Sequence, residues 1–410
     1  DPIGSRGLGD VYKRQEAYIV NGYRTAVTKA KRGGFSYTSP VDFGAVVINY
    51  LLENTPGFDP EIVDDLIVGN AVPEAEQGLQ MARWISMRSN LPLEIPGVTV
   101  NRYCGSGIET ISMAVAKIKA GLADCIIAGG TESMSLVPTT GFKTVPNYHI
   151  AKDHGDYFLE MGLTAEEVSV KYGVSREDQD EFSLQSHKKA IRAIHEGKFK
   201  NQIVPVEVEK VDFDPSTNKR VTLTTIIDTD EGPRKDTNLE VLSKLKPAFK
   251  KGGTVTAGNS SQTSDGASFV LVMSEKLVNQ LNLTPQARLL SCVSVGVHPR
   301  YMGIGPVAAV PKALAKAGLS LKDIELIELN EAFASQSLAV ISELGLNSEI
   351  INVNGGAISL GHPLGCTGSK LTVQILEELR IRNHKYGLVT ACIGGGQGIA
   401  TVLELSLIHI

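Results

Sequence analysis

Val98-Thr99-Val100-Asn101-Arg102-Tyr103-Cys104-Gly105-Ser106-Gly107 is followed by a helical stretch and then by Cys125-Ile126-Ile127-Ala128-Gly129-Gly130. Val98–Val100 is β-branched and apolar, as a buried strand is. Ile108, Ile111, Val115 and Ile118 then fall on one helical face. Gly121 lies just past that face, where a helix stop is expected. Cys125–Ala128 is a second apolar strand, ended by Gly129-Gly130. Strand, glycine turn, helix and strand make one α/β unit, with its strands buried between helix layers.

The same order returns near the C-terminus. Ile351-Asn352-Val353-Asn354 is strand-like. Gly365-Cys366-Thr367-Gly368 follows, then a helix with Leu371, Ile375, Leu376 and Leu379 on its buried face. Gly387-Leu388-Val389-Thr390 forms a strand ended by Gly394-Gly395-Gly396, and Ile399–Leu403 pairs back as a hairpin. Both halves read as strand, Val-Asn, glycine turn, helix, strand, glycine cluster, which predicts an internally duplicated α/β architecture. Further out, Ala17–Val20 is a short strand with a turn at Asn21-Gly22. Asp42–Leu52 is helical, and Ile67-Val68-Gly69 ends another strand. Between the halves, 134–262, the texture changes to charged helices (Ala165–Tyr172, Arg176–Glu196), a polar hairpin (Val204–Thr224) and a basic stretch, Arg234–Lys251. Its helical periodicity marks an inserted domain and not a linker.

The whole chain has 410 residues, 42% hydrophobic and 21% charged, with a net charge of −5. At about 150 residues per domain this is two or three domains, with a sizeable core. The charge excludes the basic footprint of a nucleic-acid binder. No apolar run reaches the roughly 18 residues of a membrane span. The five cysteines, Cys104, Cys125, Cys292, Cys366 and Cys392, are few and scattered. That argues against a disulfide framework and for a reducing compartment, so a cytoplasmic location is expected, with no secretory signal at the start. The ends read differently. Asp10-Val11-Tyr12-Lys13-Arg14-Gln15 and Leu405-Ser406-Leu407-Ile408-His409-Ile410 can be encoded by complementary strings that fit a transposon sequencing adapter. Residues 1–15 and 405–410 are therefore expected to be translated adapter.

Four glycine-flanked clusters carry chemistry. Cys104 sits between a strand and a helix N-terminus, where backbone amides and the helix dipole favour a thiolate; a buried structural cysteine is the plain alternative. His362, in Gly361-His362-Pro363-Leu364-Gly365, is a stiffly held base or a surface turn histidine. Cys392, in Cys392-Ile393-Gly394-Gly395-Gly396, is a second acid/base beside amides suited to an oxyanion, or a hairpin turn. Asn330, in Asn330-Glu331-Ala332-Phe333-Ala334 after the strand Ile324–Leu329, reads most simply as a helix N-cap. No metal-ligand spacing is present.

Taken together, these blocks, with Thr256-Ala257-Gly258-Asn259-Ser260-Ser261 and Asn354-Gly355-Gly356-Ala357, resemble the thiolase family, in its order, over Glu16–Glu404. The resemblance implies a duplicated αβαβα layered fold. Its halves would be 16–133 plus 263–285 and 286–404, with a CoA-binding loop domain over 134–262. It implies CoA-dependent thiolytic cleavage of 3-oxoacyl-CoA, with Cys104 as acyl-accepting nucleophile and His362 as its base. Cys392 would be the second acid/base. Asn330 would hold the water that, with His362, stabilises the enolate oxygen. The amides of Cys104 and Gly394 would form the other oxyanion hole. Arg234, Ser261, Met161 and Phe333 resemble CoA or acyl contacts. CoA is implied as co-substrate, with no permanently bound cofactor, and a homodimer or homotetramer with β-oxidation partner enzymes is expected. Asn101-Arg102 before the nucleophile, Glu160 before Met161, and the glycines after His362 point to the degradative, 3-ketoacyl-CoA branch. The alternatives are a biosynthetic acetoacetyl-CoA thiolase and a non-catalytic acyl-CoA carrier. Four intact catalytic groups argue against the carrier, and Cys392 argues against a decarboxylating ketoacyl synthase.

Overall fold

The computed structural model describes residues 15–406. Of the segments read as adapter, Gln15, Leu405 and Ser406 alone lie within it; Leu405 ends the last strand opposite Ala287.

A central sheet runs through the molecule. In the N-terminal half its strand order is Ala17–Thr25, Ser264–Ser274, Cys125–Ser133, Asp65–Gly69, Gly97–Val100. In the C-terminal half it is Ala287–Gly296, Gln397–Leu405, Tyr386–Ile393, Leu326–Leu329, with Ile351 bridging in parallel to Ile327 at the edge. The pattern of parallel and antiparallel neighbours is the same in both orders. The halves meet where Tyr18 and Ile19 pair with Arg288 and Ala287. This is the duplication expected from the sequence.

Two helices fill the space between the half-sheets, Ser106–Lys119 and Leu364–Arg382. Their apolar faces, Ile108, Ile111, Val115 and Ile118 on one and Leu371, Ile375, Leu376 and Leu379 on the other, join strand residues of both halves in one core. They touch backbone to backbone: a β-carbon on Gly107 would strike Ser369, and one on Gly368 would strike Ile108. Pro40–Glu53 and Met81–Arg88 cover the outer face of the first half-sheet through a second core. Gly305–Ala317 and Ala334–Leu344 cover that of the second. The result is the αβαβα layering. Residues 134–262 carry the helices Met161–Tyr172 and Arg176–His195 and the separate hairpin Val206–Phe213/Arg220–Ile227.

Four local readings need correction. Asn21-Gly22 is not a turn; it lies inside the first strand, at a register shift after Ile19. Gly129-Gly130 does not end its strand, which runs on to Ser133. A β-carbon on Gly130 would collide with the Gly365 carbonyl, so packing explains the residue and not turning. Val98–Val100 is half-buried, because its strand lies at the sheet's edge. Ile351–Asn354 contributes one bridge and then turns at Asn352, whose φ is +43°.

Candidate active site

The nucleophile candidate sits on a held turn. Asn101 Nδ2 donates to the Ala71 carbonyl at 3.0 Å, and its Oδ1 accepts from the Tyr103 amide at 2.9 Å. Ser106 Oγ donates to the Tyr103 carbonyl at 2.7 Å. These bonds keep Tyr103 at φ +43°, a region costly for a residue with a β-carbon. Cys104 therefore falls in a single helical turn, Tyr103–Gly105, feeding the first central helix. The amides of Gly394 and of Cys104 itself point at its sulfur. Burial nevertheless pushes the thiol up to about 11, against the pull of those amides. The thiolate expected from the helix N-terminus is not the resting form, because desolvation outweighs two amide dipoles. Cys392 is buried at the end of the strand Tyr386–Ile393. Its thiol is also raised, first by burial and then by the nearby Cys104.

His362 lies between the short helix Ala357–Leu360 and the second central helix, and is 4% exposed. Its Nδ1 is 2.6 Å from Thr367 Oγ1, which in turn lies 2.8 Å from the Pro363 carbonyl. A hydroxyl has one proton and a carbonyl can only accept. Thr367 therefore donates to Pro363 and accepts from His362. The imidazole proton is on Nδ1, and Nε2 keeps its lone pair. Burial, helped by the Lys370 charge, pushes His362 down to about 3. A thiol near 11 and an imidazole near 3 are both uncharged near neutrality.

Asn330 is not a helix N-cap. The helix begins at Ala334, with Phe333 in the capping position. Asn330 is instead fully buried, with Nδ2 3.2 Å from His362 Nε2, and its Oδ1 has no protein partner. The free acceptor beside the imidazole leaves Asn330 able to hold a water or substrate oxygen there.

Two groups hold this arrangement, the buried Glu132 and the half-buried Gln262. Glu132 accepts from the amides of Ala71 and Gly365, both at 2.8 Å, and from the side chains of Gln77 and Asn70. It thereby ties the strand Cys125–Ser133 to the turn after His362. Burial raises its carboxyl despite these donors. Gln262 accepts from the His362 amide at 3.1 Å, and its Nε2 donates to the carbonyls of Gly232, Ile358 and Ser359.

The expected CoA and acyl contacts divide into two groups. Met161 and Phe333 share an apolar cluster with Cys392, Met302, Ala165 and Val255. Met161 Sδ lies 3.4 Å from where a β-carbon of Gly394 would stand. Ser261 is held by its amide on the Ala332 carbonyl. Arg234 stands apart, its side chain 60% exposed and loosely paired with Asp236. Its amide donates to His187 Nδ1 at 3.1 Å, and the Gln262 bond to Gly232 links its segment to the His362 turn. Thr367 and Glu132 were missed as site residues. Thr367 was visible inside a glycine motif, but its role depends on which atoms the folded turn brings together. Glu132 had no signal beyond being a carboxylate at the end of an apolar strand.

A cysteine under two amides, an uncharged imidazole, a second thiol and a buried asparagine are a set suited to acyl transfer, on a duplicated α/β fold. The chain matches the family model "Thiolase, N-terminal domain" over residues 17–276 and "Thiolase, C-terminal domain" over 283–405. It belongs to the thiolase family. It is 52% identical over 391 residues to the 3-ketoacyl-CoA thiolase of Bacillus subtilis (strain 168), covering 95% of this chain and 100% of that one. It is 44% identical over 399 residues to the acetyl-CoA acetyltransferase of Escherichia coli (strain K12), covering 94% and 98%. The crystal structure of human mitochondrial 3-ketoacyl-CoA thiolase matches with a TM-score of 0.85 at 39% identity, over 96% of this chain and 99% of that one.

Proposed function

We propose that the chain is a 3-ketoacyl-CoA thiolase, cleaving 3-oxoacyl-CoA with CoA to acetyl-CoA and a shortened acyl-CoA. The observation that carries the mechanism is the pair of amides, from Cys104 and Gly394, directed at the Cys104 sulfur. As sulfur attacks the C3 ketone, His362 Nε2 takes the thiol proton, and the amides receive the developing oxyanion. The C2–C3 bond breaks, leaving an acyl thioester on Cys104. The acetyl-CoA enolate oxygen faces the Asn330 and His362 side. Cys392 gives its proton to the enolate carbon, then takes one from incoming CoA, whose sulfur attacks the thioester and releases Cys104. Arg234 and Ser261 contact CoA in this reading, while Met161 and Phe333 line the reacting end.

A homodimer or homotetramer acting beside other β-oxidation enzymes in the cytoplasm completes the proposal. The half-buried edge strand Gly97–Val100, near the exposed Trp84 and Met87, supports self-association. Five free cysteines fit a reducing compartment.

The test is CoA-dependent cleavage of acetoacetyl-, 3-oxooctanoyl- and 3-oxohexadecanoyl-CoA, with mass spectrometry of the trapped acyl-enzyme. Cleavage beyond acetoacetyl-CoA with acyl on Cys104 is expected. Cleavage confined to acetoacetyl-CoA moves the chain to the biosynthetic branch, and acyl on another cysteine rejects the mechanism.

A further inference from the structure

Tyr103 and Tyr157 come from elements far apart in sequence and meet beside the nucleophile. Tyr103 immediately precedes Cys104, and its ring is partly exposed. Its hydroxyl lies 3.3 Å from that of Tyr157. Tyr157 sits in the short helical turn Gly155–Phe158, partly exposed, in a stretch of exposed residues that includes Phe142, Val145 and Tyr148. Its ring covers the glycine turn after Cys392: a β-carbon on Gly395 would lie 2.7 Å from Tyr157 Cε2.

The turn carrying Tyr157 is clamped. Asp156 accepts from Arg300 Nε and Nη2, at 3.0 and 2.8 Å, and Arg300 Nη1 reaches Glu167 at 3.3 Å. The contact between the hydroxyls is different. At 3.3 Å it is longer than an ordinary O–H···O bond and correspondingly weak. One end of the crossing is therefore fixed by charge, and the meeting point of the two rings separates easily.

These contacts lie beside the nucleophile candidate and over the glycine turn after Cys392. The amides of Cys104 and Gly394 point at the Cys104 sulfur, so in the mechanism above they hold the carbonyl oxygen of an acyl group formed there. The next residue, Gly395, lies under the Tyr157 ring, and Met161 closes the Gly394 side. The Cys392 flank is filled by Met161, Phe333, Met302, Ala165 and Val255. In this reading the way out for the chain is the side carrying Tyr103 and Tyr157, whose rings are partly exposed.

We propose that Tyr103 and Tyr157 form a bar across the acyl exit that sets the length of straight-chain 3-oxoacyl thioester this protein accepts. The proposal rests on the thiolase reading above. Short acyl groups fit beneath the bar. Long ones pass only when the weak hydroxyl contact parts and the Tyr157 ring moves off Gly395.

The experiment measures kcat/KM for 3-oxohexadecanoyl-CoA and for acetoacetyl-CoA in the full chain. In Tyr157→Ala the long-to-short ratio rises by about tenfold, the scale of discrimination that small changes in an apolar pocket produce. Acetoacetyl-CoA cleavage stays near the unsubstituted level. Tyr157→Phe, which keeps the ring but removes the hydroxyl contact, gives a smaller rise in the same direction. An unchanged ratio in Tyr157→Ala overturns the proposal, and so does an equal loss at every chain length. Should Tyr157→Ala fail to fold, Asp156→Asn releases the clamp without touching the ring. It raises the ratio in the same direction, and no change there also overturns the proposal. Failure of the unsubstituted chain to cleave any 3-oxoacyl-CoA overturns the thiolase reading itself and is seen before any variant is compared.

Discussion

Replacing Thr367 with valine keeps the shape of the side chain and removes the oxygen that accepts from His362 Nδ1 at 2.6 Å. The imidazole is 4% exposed, so water does not readily replace that acceptor. A buried donor left without a partner costs about 1–3 kcal/mol. The ring escapes the cost by moving its proton to Nε2, where Asn330 Oδ1, otherwise without a partner, accepts it once the amide turns over. In that tautomer the atom needed as a base is blocked. Returning to the productive form costs the same energy, so kcat falls by roughly 5- to 160-fold, at about 1.36 kcal/mol per decade. KM stays within about twofold, because the hydroxyl is committed to protein groups. Thr367→Ser keeps the oxygen and most of the activity. The assay is steady-state thiolysis, with single-turnover acylation of Cys104 to place the loss in the first step. A Thr367→Val enzyme with unchanged kcat, or a serine variant as slow as the valine one, would refute the tautomer argument.

Other predictions are shorter. Cys104→Ala abolishes acyl-enzyme formation, read by intact mass after mixing with substrate; acyl mass still appearing on the chain sinks the assignment. Cys392→Ser still acylates Cys104 but turns over poorly, and normal turnover rejects its acid/base role. Alkylation of Cys104 by iodoacetamide should climb about tenfold per pH unit from neutrality to about pH 9, because the thiol titrates near 11 and His362 near 3. A plateau below pH 7 would mean a thiolate–imidazolium pair at rest. Gly130→Ala forces a β-carbon into the Gly365 carbonyl and should cost about 1–3 kcal/mol, with a lower Tm and weaker activity; an unchanged Tm contradicts the packing argument.

The duplication was legible because each half repeats a short apolar strand, a glycine turn and a helix with its own buried stripe. Cys104 and His362 were legible for the same reason, since each precedes a central helix. What escaped depends on partners distant in the chain. Asn330 looked like a cap because asparagine after a strand usually is one, and only the fold brings His362 to it, 32 residues on. Gly129 and Gly130 looked like a strand end, because a strand that needs glycine for close packing has the same composition as a turn. The Cys104 thiol was expected to ionise readily because a helix N-terminus is visible in sequence, whereas the desolvation that outweighs it belongs to the packed site.

The glycine contact between the two central helices acts as a ruler. Gly107 lies three residues after Cys104, and Gly368 lies six after His362. Their helices meet chiefly through main-chain atoms, with the Ile108 side chain alongside. The spacing of Cys104 and His362, the proposed nucleophile and base, is thus referred to the least adjustable dimension a protein has. Substitutions in the surrounding apolar layers can alter how firmly the molecule holds together without resetting that gauge, whereas a single added methyl at either glycine would move both reacting groups at once.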